Sequence, residues 1–201
     1  MLKKSIIEEI DPRRLLAQVA RILDQSGIAY AVTGGVAVFV WGKPRFTADI
    51  DIVVQLKAES VDHLARVLRS LSEASYVSEE MMRHALAHKG EFNFIDGASG
   101  VKVDFWVLGD DPFEKSQLSR RIRRKVAGEK VFFVSPEDLI LSKLRWYEES
   151  GSSRQLEDVE SVLKIQKKLD VRYIRRWARV HGTSTLLEPL LKKKFLRGST
   201  S

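Results

Sequence analysis

The stretch TGGVAVFVWGKPRFTADIDIVV, residues 33–54, decides the fold of this chain. It places Gly34-Gly35 after an apolar run, continues through a basic loop, and ends with Asp49 and Asp51 alternating with isoleucines. Over residues 48–56 the alternation is strict, which is typical of a β-strand with one buried face. Side chains two residues apart on a strand point the same way, so both carboxylates are predicted to project from one face.

A second strand-like run, VKVDFWV at residues 101–107, supplies a third aspartate, Asp104. If the two strands are neighbours, three oxygen-rich side chains converge on one patch. Such a patch repels itself unless a divalent cation neutralises it, and Mg²⁺ prefers carboxylates together with phosphate oxygens and water. The alternative is that the acids line the solvated face of a half-covered sheet. Because aspartate is disfavoured within strands, two in one short strand favour the metal site.

The Gly34-Gly35 pair lies between an apolar strand and a predicted short helix over residues 36–41. Without side chains there, the backbone can approach a phosphate closely, and the following helix offers unpaired N–H groups. An ordinary tight turn is the alternative. The segment is not a P-loop. Its Gly42-Lys43 would be the end of that motif, but Ala37 stands where the first glycine is needed and Pro44 replaces the serine or threonine after Lys43.

Helix and strand patterns alternate in the first two-thirds of the chain, and the last third is predicted to be all helical. A helix begins near Pro12 and ends at Gly27. The predicted strands span 28–32, 48–56, 92–95, 101–108 and 131–134, and the C-terminal helices span about 136–149, 153–168, 170–180 and 184–195. We therefore expect an α/β (α+β) fold in which helices flank a mixed sheet. Residues 1–135 would form the core, and residues 136–201 a helical segment packed on it.

Composition excludes several classes of protein. The chain has 201 residues and no cysteine, which excludes disulfides and thiolate-bound metals. No apolar run approaches the roughly 18 residues of a membrane span, and the N-terminus lacks the features of a signal peptide, so we expect a cytoplasmic protein with no membrane partner. A Gly-x-Ser-x-Gly elbow is also missing, so acyl transfer has no support. The net charge of +7 is compatible with nucleotide, RNA or an acidic partner.

Together, the motifs GG, RFTADID and VKVDFW resemble the nucleotidyltransferase superfamily of DNA polymerase β type. The helical stretch from PEDLILSKLRWYEES to VRYIRRWA is similar to bacterial small nucleotidyltransferases near the AbiEii abortive-infection toxins. This resemblance implies that Asp49, Asp51 and Asp104 hold two Mg²⁺ ions, with Mn²⁺ as the alternative metal. Asp104 would also be the base for the acceptor hydroxyl. Gly34 and Gly35 would contact the triphosphate of the nucleotide.

The same resemblance implies two further site residues, Lys143 on one C-terminal helix and Asp158 on the next. The sequence departs from the toxins at Arg154-Gln155, where they commonly carry Lys-Asp. Lys143 is also flanked at helical spacing by apolar and aromatic residues, which predicts a buried stem with the ammonium near an anion. That anion is either a triphosphate or one of the aspartates. Asp158 is equally compatible with a surface ion pair to Arg154.

Other basic residues are less specific. Arg45 and Thr47 precede the aspartates and could reach a phosphate, with an exposed loop as the alternative. The run at residues 120–125, the later arginines at 172–179 and the lysines at 192–194 are basic enough to follow RNA. Because few aromatic residues are interleaved with them, we interpret these groups as solvated faces.

The resemblance predicts a metal-dependent nucleotidyltransferase that moves a nucleoside monophosphate from a triphosphate to an acceptor hydroxyl and releases pyrophosphate. Three acceptors remain open. A tRNA 3′ end would make the chain a toxin with an antitoxin partner; the others are a small antibiotic and a protein side chain. The alternative from another class is a non-catalytic module that binds nucleotide or assists assembly.

Overall fold

The structure is a computed structural model that describes residues 11–198, with side chains described up to residue 194. Within these residues the chain forms nine α-helices and seven β-strands, which confirms the predicted α/β class. The prediction that the chain does not begin with a signal peptide depends mostly on residues 1–10. These residues lie outside the described part. No helix within residues 11–198 combines the length and the apolar character needed to cross a membrane.

The chain divides into two compact units. Of the described residues, the first unit holds 11–33 and 47–133, and the second holds 34–46 and 134–198. The sequence-based division between residues 135 and 136 stays a prediction.

The described part of the first unit is built on one mixed sheet of seven strands, in the order β3-β4-β5-β2-β1-β7-β6. The strands are β1 Ala29–Val32, β2 Ile50–Gln55, β3 Tyr76–Val77, β4 Glu91–Ile95, β5 Lys102–Val107, β6 Ile122–Val126 and β7 Glu129–Phe133. The helices of this unit are α1 Pro12–Gln25, α3 Val61–Arg69, α4 Glu79–His88 and α5 Pro112–Ser119. Strand β2 is parallel to β5 and β1 is parallel to β7, whereas the other pairings are antiparallel.

Helix α1 begins where the sequence predicts. The Asp11 carboxylate accepts a hydrogen bond from the Arg13 backbone N–H at 3.0 Å, and Pro12 occupies the first turn, where its missing N–H is harmless. The apolar side chains recur at helical spacing and are buried, and they pack the helix against β7 and α3. A local cap and one apolar face therefore set both the start and the orientation of α1.

All regular elements among the described residues of the second unit are helices. Its helices are α2 Gly34–Trp41, α6 Pro136–Ser150, α7 Ser153–Ile165, α8 Val171–Val180 and α9 Ser184–Gly198. The four predicted C-terminal helices are confirmed, with ends that differ by at most three residues. Helix α2 begins two residues earlier than predicted, so Gly34-Gly35 forms its first turn and not a turn ahead of it.

Three elements of the first unit were not predicted from the sequence, namely β3, β6 and α5. The basic run at residues 120–125 contains most of β6, which lies at one edge of the sheet and pairs with β7. Its side chains lack apolar alternation because an edge strand with a solvated face does not need it. The interpretation of this run as a solvated face agrees with the largely exposed side chains of β6, although the strand itself was not predicted.

Candidate functional site

Asp51 and Asp104 lie side by side in the sheet of the first unit. The parallel register of β2 and β5 makes them direct partners, which confirms that the two predicted strands are neighbours. Residues opposite each other in a ladder share one face of the sheet, so both carboxylates project from the same face. Both residues are half-buried, and the Asp104 side chain is 13% exposed. Ile52 and its partner Phe105 point to the opposite face of the sheet and are fully buried there. The two acids, one position earlier on each strand, must therefore point away from this core.

Asp49 lies just ahead of this ladder. Strand β2 begins at Ile50, not at the predicted residue 48, so the ladder does not set the direction of the Asp49 side chain. Its carbonyl accepts a hydrogen bond from the Thr47 hydroxyl at 3.3 Å. Among residues 11–198, no group of three or more Asp, Glu, His or Cys side chains is arranged to hold a metal ion. Two of the three predicted metal ligands are thus brought together by register, and the participation of Asp49 stays a prediction.

Lys102 provides the local counter-charge for the acids. Its Nζ lies 2.8 Å from Oδ2 of Asp104, two residues along the same strand face. This hydrogen bond is the main cause that raises the pKa of Lys102. Burial lowers the pKa, by less than the hydrogen bond raises it, and the charges of Asp104, Asp49 and Glu91 raise it further. The sequence reasoning did not assign Lys102 a role, although the alternation in VKVDFW already placed it on the side of Asp104.

Thr33 adds a further oxygen to the row of Asp104 and Asp51. Its backbone N–H donates to the Asp51 carbonyl at 2.8 Å, which extends the β1–β2 ladder by one residue and places the Thr33 side chain on the Asp51 face. The Thr33 hydroxyl oxygen is buried and has no hydrogen-bond partner among the described residues. Carboxylate and hydroxyl oxygens without nitrogen or sulfur donors fit a hard cation such as Mg²⁺. Sequence reasoning missed Thr33, whose only signal is its position at the end of a buried strand.

A second polar cluster lies within the second unit. Asp158 is 2% exposed and accepts two hydrogen bonds from Arg45, both at 2.7 Å. The Nζ of Lys143, which is 3% exposed, lies 2.9 Å from Asp158 Oδ2 and donates to Gln155 Oε1 at 2.9 Å. Lys143 also lies 4.9 Å from the ring centre of Trp146. The predicted burial of Lys143 beside an anion is confirmed, and that anion is an aspartate.

The electrostatics of this cluster favour a charged Asp158. Burial raises its pKa, but the hydrogen bond from Arg45 and the charge and hydrogen bond of Lys143 together lower it below the ordinary value. Asp158 is not a surface residue, so the alternative of an exposed ion pair with Arg154 is wrong. One buried carboxylate is thus shared by two cations, Arg45 and Lys143. Sequence reasoning missed the pairing of Arg45 with Asp158 and the contact of Gln155.

Gly34 and Gly35 are buried in the first turn of α2. Gly34 has a φ of 59°, the left-handed region that glycine adopts without steric cost. The indole N–H of Trp41, at the other end of α2, donates to the Val134 carbonyl at 2.9 Å and ties the helix to the start of the C-terminal segment. The requirement for glycine at position 34 is therefore conformational, whatever further role the pair has.

Comparison with known proteins gives one family and a shared fold. Residues 14–195 match the family described as nucleotidyl transferase AbiEii toxin, Type IV TA system. No curated protein matches the chain in sequence.

Solved structures of nucleotidyltransferases have a similar fold. A nucleotidyltransferase-like antigenic protein from Paracoccidioides brasiliensis aligns with a TM-score of 0.57 and 20% identity over 90% of this chain and 91% of its own. The antibiotic-resistance factor ANT(2'')-Ia in solution aligns with a TM-score of 0.59 and 16% identity over 88% of this chain and 95% of its own. The crystal structure of ANT(2'')-Ia with adenylyl-2''-tobramycin aligns with a TM-score of 0.57 and 15% identity over 86% of this chain and 97% of its own. At these identities the likeness shows the fold alone.

Proposed function

The chain belongs to the nucleotidyl transferase AbiEii toxin family of Type IV toxin–antitoxin systems, and from this premise we propose that it transfers a nucleoside monophosphate from a nucleoside triphosphate to an acceptor hydroxyl. The acceptor oxygen forms a bond to the α-phosphorus, and the bond from that phosphorus to the leaving pyrophosphate oxygen breaks. The acceptor proton passes to a base. The observation that carries the proposal is the in-register pair of Asp51 and Asp104 on neighbouring parallel strands.

Asp51 and Asp104, joined by Asp49, would hold two Mg²⁺ ions or Mn²⁺ in their place. The donor chemistry supports this assignment, since the row of Asp104, Asp51 and the unpartnered Thr33 hydroxyl offers only oxygen atoms. When bound, the divalent cations neutralise phosphate charge and stabilise the attacking and leaving oxygens. The protein's own contribution is to fix the two carboxylates by strand register and to keep one face of the sheet dry behind them.

Asp104 is proposed as the base that accepts the proton of the acceptor hydroxyl. Its carboxylate is held in place by the β5 ladder and by Lys102, so it needs no reorganisation to receive a proton. The proposed nucleotide contacts are Gly34, Gly35, Arg45, Thr47, Lys143 and Asp158. Of these, Arg45 and Lys143 supply positive charge for phosphate oxygens, and Asp158 orients both.

The acceptor and the partner belong to the same proposal. The family description supports a toxin with an antitoxin partner, and a tRNA 3′ end is our first candidate for its acceptor. A small hydroxylated antibiotic is the second candidate, because the fold is shared with ANT(2'')-Ia, whose structure holds adenylyl-2''-tobramycin. A protein side chain is the third acceptor. Radiolabel from [α-³²P] nucleotides on total RNA, on tobramycin or on protein distinguishes the three.

The central test replaces each acid by its amide. Asp51→Asn and Asp104→Asn should each lower Mg²⁺-dependent pyrophosphate release by about a hundredfold or more, because a ligand charge is lost. Their melting temperatures should stay close to wild type, since each change also relieves repulsion between two carboxylates. Asp110→Asn, at a side chain that is 94% exposed, is the matched control and should release pyrophosphate normally. Normal turnover in the Asp51 and Asp104 variants would overturn the proposal.

A non-catalytic nucleotide-binding module is the competing function. It predicts that the wild-type chain binds Mg²⁺-nucleotide in calorimetry but releases no pyrophosphate with any acceptor. Turnover that depends on Asp51 and Asp104 excludes this alternative.

A further inference from the structure

Asn93 of β4 extends the row of polar side chains that crosses the sheet at Asp104. It lies opposite Asp104 in the antiparallel β4–β5 register, and Asp104 has Asp51 as its partner on the other side. Partners in a ladder share one face of the sheet, so the Asn93 carboxamide projects from the face that carries both acids. Asn93 is exposed, whereas Phe92 and Phe94 beside it in the strand are buried on the opposite face. An amide thus adjoins Asp104 on the side away from Asp51.

The backbone hydrogen bonds of the β4–β5 ladder show how close this amide is to Asp104. The Val107 N–H donates to the Gly90 carbonyl at 2.9 Å, and these two residues are partners when the register is continued by one position. Hydrogen-bonded and non-hydrogen-bonded pairs alternate along an antiparallel ladder. Asn93 and Asp104, three positions along, therefore form a non-hydrogen-bonded pair, the kind whose side chains are closest. Their Cβ atoms are about 4.5–5.5 Å apart.

The Asn93 amide is available to a ligand. Within residues 11–198 it forms no hydrogen bond, and the hydrogen bond to Asp104 comes from Lys102. A carboxamide has two N–H donors and an oxygen acceptor, and it carries no charge that would repel Asp104 or neutralise it. Asparagine is disfavoured within strands, and this is the one asparagine among 201 residues. Strand formation therefore does not account for this residue type at this position.

The side of Asp104 on which Asn93 lies identifies the ligand. Asp104 and Asp51 are the proposed metal ligands, so the metal-bound triphosphate belongs on the Asp51 side. In an in-line displacement the attacking oxygen and the leaving pyrophosphate lie on opposite sides of the phosphorus. An acceptor hydroxyl that gives its proton to Asp104 therefore approaches from the side away from Asp51. That side is β4, where Asn93 is the partner of Asp104.

Apolar surface flanks the amide on the same face of the sheet. Trp106 follows Asp104 by two residues on β5, and Ile95 follows Asn93 by two residues on β4. Ile95 has Tyr76 of β3 as its partner, and all three of these large side chains are exposed. An organic acceptor is larger than its reacting hydroxyl. It can lie across this surface while the amide holds its polar groups, whereas a bare ion has no use for such contacts.

We propose that Asn93 binds the acceptor next to Asp104. Its Nδ2–H donates to an oxygen of the acceptor, and its Oδ1 accepts from a hydroxyl. The inference rests on the proposed function, because it requires Asp104 to receive the acceptor proton. It adds no covalent step, since Asn93 keeps its own protons and fixes only where the acceptor lies.

The kinetic test separates the two substrates of the transfer. The acceptor is whichever of total RNA, tobramycin or protein takes up the radiolabel. Asn93→Ala should raise the KM for this acceptor about five- to tenfold, the effect of losing one or two hydrogen bonds, and leave the KM for the nucleotide unchanged. Asn93→Gln keeps the amide and should recover part of the loss. Glu91→Ala truncates the next exposed residue on the same face of β4 and is the matched control, with both KM values as in wild type.

A second measurement needs no turnover. Because Asn93 is the one asparagine of the chain, protein labelled with [¹⁵N]asparagine gives a single pair of side-chain amide signals in nuclear magnetic resonance. Total RNA, tobramycin and casein are added in turn without nucleotide or divalent cation, and one of them should shift this pair. If wild type releases no pyrophosphate, the proposed transfer fails, and the signal pair still decides whether Asn93 binds a hydroxylated ligand.

The inference fails on any of four results. They are a wild-type acceptor KM in an active Asn93→Ala enzyme, an equal rise in the KM for acceptor and nucleotide, a signal pair that none of the three probes shifts, and weaker Mn²⁺ binding by Asn93→Ala in electron paramagnetic resonance. The last result would make the amide a metal ligand. Circular dichroism shows whether Asn93→Ala is folded. If it is not, the signal pair of the wild-type protein decides the test.

Discussion

Lys102 competes with any metal ion for the Asp104 carboxylate. Its ammonium lies 2.8 Å from Asp104 Oδ2, and the lysine is 40% exposed, so this ion pair is of the modest kind worth about 0.5–1 kcal/mol. Lys102→Met should therefore tighten Mn²⁺ binding by about two- to fivefold, as measured by electron paramagnetic resonance without nucleotide. Lys115→Met, which removes an exposed lysine paired with Asp110, is the control and should leave Mn²⁺ affinity unchanged. Equal affinities in wild type and Lys102→Met would exclude competition.

Asp158 stabilises the fold in a pH-dependent way. Its pKa is lowered in the folded state, so the charged carboxylate contributes stability above the ordinary aspartate pKa of 3.8, and this contribution is lost as the pH falls through the lowered value. Asp158→Asn should lower the free energy of unfolding by on the order of 3–5 kcal/mol at neutral pH, because Lys143 and Arg45 lose their shared charge partner. Asp62→Asn is the control. It removes an exposed ion pair with Arg83 and should hardly change the free energy of unfolding.

The pH profile separates a charge effect from a packing effect at Asp158. Below about pH 4 the melting temperature of wild type should fall more steeply than that of Asp158→Asn, since only wild type has the carboxylate to protonate. Thermal melts followed by circular dichroism between pH 7 and pH 2 measure both curves. Parallel curves would mean that the variant loses packing only.

At the level of elements, helix α2 depends on the backbone of its first residue. Gly34 has a φ of 59°, which costs a residue with a Cβ about 1–2 kcal/mol. Gly34→Ala should lower the melting temperature by a few degrees. Gly90→Ala is the control, because a Cβ at Gly90 meets no atom within 4 Å and its φ is not positive. A variant at Gly34 with the stability of wild type would show that the glycine is kept for another reason.

Elements with local signals could be predicted from the sequence. Helix α6 is an example, since Ser135, Pro136 and the acids of the first turn stand in the order that a helix start requires. The Ser135 hydroxyl accepts the Asp138 N–H at 3.1 Å, as that order predicts. Strand β6 gave no such signal, because its charged side chains face solvent and only its backbone pairs with β7. Pairing between backbones leaves no trace in the side-chain pattern of an edge strand.

The candidate site was predictable to the extent that its geometry is local. Alternation along β2 and β5 fixed the faces of Asp51 and Asp104, whereas their register depends on two strands far apart in the chain and could only be assumed. Arg45 and Asp158 are 113 residues apart, and nothing in the spacing of either marks the other. Contacts of this kind come from packing, which the pattern of one sequence does not encode.

At the scale of the whole molecule, the division into two compact units predicts how a local loss of stability spreads. The first unit has its sheet core, with Phe94, Val103 and Phe105 fully buried, and the second has a helical core that includes Ile140 and Val162. Units with separate cores open with separate free energies in native-state hydrogen exchange. Asp158→Asn should therefore speed amide exchange in α6 and α7 much more than in β2 and β5. Mass spectrometry of peptic peptides measures this difference directly. An equal increase in the helices and in the sheet would show instead that both units unfold as one cooperative body.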